Sequence, residues 1–234
     1  MSVCRGRLPK LPTSRPSIAD RLVLRLCKHR YIDGLWIGTL RGAEAEPILR
    51  RVEEALALIK RYDPLQYVRV IHNLDRVWVN LLPDAPACFE RSLQACVIDE
   101  RFALAATSTP EIIAKTIVHE ATHARLERWG INYDEKERTR IEAVCLRREL
   151  AFTAKLPQGR PLQDEVTRAM EWCASNPDYF SNVSFHQRDI QGRVEALHYL
   201  GTPDWLIRAI LKLMGIVSTM RQFVRRIARS ARQA

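Results

Sequence analysis

The chain has 234 residues, 47% of them hydrophobic and 27% charged, with a formal net charge of +10. That composition suits one large globular domain, or a domain with an appendage, able to bury a sizeable core. It excludes a membrane-spanning protein, because Arg208 and Lys212 interrupt the most apolar stretch, 205–220, and Arg21 and Arg25 break any secretory signal core near the N-terminus.

The positive charge sits at the two ends. Residues 1–19 hold four basic and no acidic side chains, and residues 206–234 hold seven basic and no acidic ones, which leaves 26 basic against 27 acidic between them. A nearly neutral body argues against a nucleic-acid binder, and the excess of 30 Arg over 7 Lys follows genomic base composition as readily as phosphate recognition. Six widely spaced cysteines without a C-x-x-C read as reduced thiols in a cytoplasmic protein. Cys96 and Cys145 read as small buried hydrophobes.

Residues 1–17 combine Pro9, Pro12 and Pro16 with basic side chains and read as a flexible basic tail, with the fold starting near Ile18. From Ala45 to Tyr62, Ile48, Leu49, Val52, Leu56 and Ile59 recur every three or four residues, which predicts a helix stopped by Asp63-Pro64. The β-branched and aromatic segments Tyr67 to His72, Arg76 to Leu81, Gln94 to Asp99 and Phe102 to Ala105 predict strands of one antiparallel sheet. A helix follows with Thr109 as N-cap, Pro110 at its first position and Gly130 just past its end. The next should start after Asp134, with Glu137 as a capping-box partner, and reach Lys155. Further helices are expected at 162–175, 185–199, 203–214 and 216–230. The architecture is α+β: a helix, a sheet, then a helical C-terminal half.

The helix after Pro110 contains His119-Glu120-Ala121-Thr122-His123. Histidines four apart point along one helix face and can converge on one metal ion, and the glutamate beside the first can serve as a general base. Zinc suits such a site, which keeps three protein ligands and one open position. Glu142, with 18 residues between it and His123, can return on the next helix as third ligand; Asp134 is the competitor.

On these residues the stretch 109–155 resembles the gluzincin class of zinc metallopeptidases, which joins H-E-x-x-H to a glutamate on the following helix. The resemblance implies a zincin-like fold over 18–200, one zinc held by His119, His123 and Glu142, and peptide or protein substrates cleaved with Glu120 as general base. It departs from the thermolysin-like branch at Leu146, where an acidic residue that orients a histidine is usual. Metzincin spacing is excluded by Leu126 and Trp129. Oxyanion donors are sought at Tyr133 and His186, with Tyr179 a further candidate. The segment Gln94 to Asp99 is the expected strand edge for an extended substrate.

Residues 201–234 are expected to form basic amphipathic helices, with Ile207, Ile210, Leu211, Met214, Phe223, Val224 and Ile227 at helical spacing between arginines. They read as packed on the domain, or as a peripheral element for an anionic membrane surface or an acidic partner. A non-hydrolytic zinc-stabilised binding domain is the alternative to a peptidase.

Overall fold

The structure is a computed structural model that describes residues 16–212. The expected tail, residues 1–17, lies outside the described residues apart from Pro16 and Ser17, as does the helix expected at 216–230. Ser17 caps α1 (Ile18–Leu26), the first described element, through a reciprocal bond with Asp20.

A five-stranded sheet follows in the order β1-β2-β3-β5-β4. β1 (Lys28–Ile32) and β2 (Leu35–Thr39) form an antiparallel hairpin. Its two-residue loop, Asp33-Gly34, holds φ of 48° and 87°, the left-handed pair that an Asp-Gly hairpin turn needs. β2 runs parallel to β3 (Arg76–Asn80), and β3 parallel to β5 (Ala95–Asp99); β4 (Ala87–Glu90) closes the edge antiparallel to β5. The sheet is therefore small and mixed, within an α+β chain. Parallel neighbours need a crossover, and α2 (Ala45–Tyr62) with α3 (Pro64–Asn73) supplies it between β2 and β3.

Two of the expected strands are helical. Tyr67 to His72 lies in α3, because Asp63 accepts a bond from the Gln66 amide and Pro64 sets the first turn. Gln66, Tyr67, Val70 and Asn73 are buried at helical spacing while Val68 is 62% exposed, so periodicity overrides β-propensity. Phe102 to Ala105 falls in and just after α4 (Glu100–Leu104), nucleated by the Asp99 carboxylate on the Arg101 and Phe102 amides.

The strands alternate with period two. Leu35, Ile37, Val77, Val79, Cys96 and Ile98 face one core with α2 and α5 (Pro110–Arg128). Trp36, Trp78, Ala95 and Val97 face the other, covered by Val23 and Leu24 of α1. Trp36 lies so tightly over Gly38 that a Cβ there would stand 2.3 Å from the ring. On α5, Ile113, Ala114, Ile117, Val118 and Ala121 are sealed against the sheet, each large aliphatic side chain contributing roughly 1.5 to 3 kcal/mol.

α5 begins at Pro110 and ends at Trp129, with Gly130 at φ 81°. α6 (Arg138–Thr153) starts later than expected: Glu137 is its N-cap position, with no capping-box bond, and the Asp134 carbonyl accepts from the Glu137 and Arg138 amides. α7 (Arg160–Ser175), a 3₁₀ turn (Pro177–Phe180) and α8 (Asn182–Tyr199) complete the order. Residues 204–212 are helical, with Ile207 buried. No described helix is long and apolar enough to cross a membrane. The five described cysteines are free thiols.

Candidate metal centre

α5 uses two faces at once. One packs on the sheet; the other meets α6 through Leu126, Ile141 and Cys145. Both expected histidines lie on that second face. His119 Nε2 is 3.0 Å from His123 Nε2. Glu142 reaches across from α6, with one carboxylate oxygen 3.2 Å from His119 Nε2 and the other 3.4 Å from His123 Nε2. Zinc bonds of about 2.0 to 2.2 Å in a tetrahedron place neighbouring donors about 3.3 Å apart, and the three separations, two of them made by different Glu142 oxygens, lie near that spacing.

A fourth donor lies beneath. The thiol of Cys145, one turn after Glu142, is within 4.8 Å of the histidine nitrogens, and His119, His123 and Cys145 form a group that could hold a metal ion. Cys145 has no exposed surface, and burial, with Glu142 next in effect, pushes its thiol far above the ordinary range. Glu142, an oxygen donor, touches both rings from the same helix.

The sequence reading missed Glu149. It is buried, lies seven residues after Glu142 on the same stripe of α6, and stands 2.5 Å from His119 Nδ1. Its other oxygen is 3.4 Å from Lys115 Nζ, which also reaches Glu165 of α7 at 3.3 Å. Glu149 fixes the ring so that Nδ1 donates and Nε2 is left to face the donors. This is the support that Leu146 does not provide. The spacing of 115, 119 and 123 against 142, 145 and 149 was its signal: two facing stripes of polar residues on adjacent helices.

Glu120 points elsewhere, as a neighbouring helix position must. It is buried towards β4, and burial pushes its carboxyl up to about 7; Glu142 and Glu149 add to the rise, while His119 and the Phe89 backbone amide oppose it. His119 goes the other way from its burial: desolvation disfavours its charge, but bonds to Glu142 and Glu149 outweigh it and hold the ring protonated well above its ordinary value. Burial, then the charge of His119, lowers His123 to about 4. Glu142 is buried too, yet its bond from His119 and the neighbouring charges hold it at about 2.

Tyr133 is brought to the site. Its hydroxyl donates to Glu142, and its ring meets His123 edge-on at 5.3 Å. His186 is exposed on α8; the adjacent Phe185 is the residue that packs on Tyr133, at 6.1 Å. Tyr179 stacks with Trp172 and under Arg188 instead. Asp134 is exposed in the turn before α6, outside the donor cluster. The strand at the open edge, next to α5, is β4 rather than the expected 94–99 segment, whose β5 is paired on both sides.

Comparisons with known proteins find no matching family model, no matching curated protein and no matching solved structure.

Proposed function

We propose that the protein is a zinc-dependent peptidase of zincin-like type, with His119, His123 and Glu142 as metal ligands. The observation that carries this reading is the meeting of two imidazole nitrogens with the two oxygens of one carboxylate, at separations of 3.0 to 3.4 Å. Zinc, when bound, supplies Lewis-acid polarisation of a peptide carbonyl and acidifies water towards neutrality. Glu149 holds the His119 tautomer, and Glu142 brings negative charge to the cluster. Glu120, with a carboxyl raised to about 7, takes a proton from water and returns it to the departing amine. Tyr133, released from Glu142, is the candidate donor to the developing oxyanion. Among the described residues β4 has no neighbour on its outer side, and it offers that edge beside α5 to an extended peptide.

A second reading has its own observation. Cys145 close to both histidines favours a closed, non-hydrolytic zinc site that stabilises a binding domain. Its membrane or acidic-partner surface, the basic segment after residue 212, lies outside the described residues.

Glu120→Gln separates the two. In a peptidase it keeps one zinc per chain and loses most cleavage of a peptide library, whereas His119→Ala loses the metal. Zinc content near zero that does not rise on reconstitution would reject both readings. Zinc with no cleavage of any peptide by the parent protein would favour the closed site.

A further inference from the structure

Eighteen-residue helices in a globular fold normally hold their place by burying an apolar stripe. α8 does not. Gly192 is its one fully buried residue, while Val183 is 67% exposed and Ile190 and Tyr199 are also exposed.

Its attachments are separate and mostly polar. At the N-terminal end Phe185 rests on Tyr133, whose hydroxyl bonds the candidate ligand Glu142. Arg188 is 3.4 Å from the Asp84 carboxylate and lies 3.6 Å over the Tyr179 ring. Gly192 approaches the Pro83 carbonyl so closely that a Cβ would stand 1.7 Å from its oxygen. At the C-terminal end the Tyr199 hydroxyl accepts from Arg41 at 2.8 Å, with Arg101 5.8 Å from the ring centroid. Arg41, Pro83 with Asp84, and Arg101 follow β2, β3 and β5 respectively. α8 therefore starts against the tyrosine that touches the donor cluster and crosses the carboxyl ends of three parallel strands.

We infer that α8 is a strap across the approach to His119, His123 and Glu142, which detaches as a unit to admit a ligand, with Gly192 on Pro83 as its latch. Ion pairs that remain partly solvated hold weakly, so a helix fastened this way opens without disturbing the core. Lifting Phe185 away also frees Tyr133 from its packed position. The purpose assigned to the strap rests on reading the cluster as a metal site; its attachment does not.

Gly192→Ala in the full chain tests the latch, because alanine favours the helix more than glycine does yet cannot sit against Pro83. Asp84→Asn tests the ion pair separately. Hydrogen exchange should show α8 amides of the parent exchanging faster than those of α5 and α6. In Gly192→Ala the α8 amides should gain a further roughly tenfold while α5 is unchanged, and zinc transfer to excess chelator should quicken by a similar factor. Asp84→Asn should move both in the same direction by less. Parent α8 amides exchanging in step with α5, or loss of protection throughout the variant, would make α8 part of the core and overturn the inference. So would unchanged zinc transfer once α8 is loosened. If the protein takes up no zinc, the metal-site reading alone has failed. Carbethoxylation of His119 and His123 then measures approach: faster in Gly192→Ala supports the strap, and equal rates overturn it.

Discussion

Glu149 stands 2.5 Å from His119 Nδ1, and the two residues are thirty positions apart on facing helices. Losing a carboxylate that orients a histidine ligand typically costs 10- to 100-fold in metal affinity. Glu149→Ala should sit near a loss of about 100-fold and Glu149→Gln, which keeps an acceptor, near about tenfold. Competition with a chromophoric chelator measures both. Parent-like affinity in Glu149→Ala would remove the residue from the site. Glu165→Gln, at the exposed end of the Lys115 bridge, should change affinity little, as expected of a solvated partner.

The metal-free protein should have a stability plateau in mildly acidic solution. Glu120, raised from 4.5 to about 7, stabilises the fold below 4.5 and loses that contribution as pH rises through 7. His123, lowered from 6.5 to about 4, contributes above 6.5 and loses it as pH falls through 4. Between 4.5 and 6.5 these two oppose each other. His119, raised above 6.5, adds a decline on the alkaline side, and Glu142, held at about 2, adds one on the acid side as pH falls below 4.5. Urea unfolding across pH 3 to 9 in the presence of chelator should give that shape, and stability still rising above pH 7 would contradict it.

Metal uptake at neutral pH should release about one to two protons, since a divalent ion replaces those held by His119 and Glu120. Calorimetric titration with zinc in buffers of different ionisation enthalpy counts them. Release of none would mean that the ion binds elsewhere.

Tyr133→Phe separates two roles of one hydroxyl. As an oxyanion donor its loss should lower turnover by about 10²- to 10³-fold while zinc stays bound. As no more than a partner of Glu142, its loss should leave kcat alone and shift only metal affinity.

Gly38→Ala tests the packing of the second sheet face. The added Cβ would meet the Trp36 ring at 2.3 Å, so the ring must move within a closed cluster. Overpacking of this kind costs about 1 to 3 kcal/mol. Thermal unfolding should show a clear drop in Tm, whereas Gly42→Ala, with nothing within 4 Å, should leave it nearly unchanged.

Much of this protein was legible in residue order alone, where a pattern depends only on neighbours along the chain. The 45–62 helix follows from a three-and-four spacing, the α5 start from Pro110 and its end from Gly130, and the convergence of His119 and His123 from one helical turn. The Asp33-Gly34 hairpin is equally local, a two-residue turn signal between β1 and β2. Tertiary structure decided the rest. Tyr67 to His72 became helix because burial at helical spacing outweighed the β-branched composition. β2, β3 and β5 became parallel because a helical crossover joins the first two. His186 gave way to Phe185 because one step along a helix turns a side chain to a different face. The stripe 142, 145 and 149 is visible in the spacing, but its pairing with His119 emerged only once α6 lay against α5, since a bond across thirty residues depends on how two helices pack.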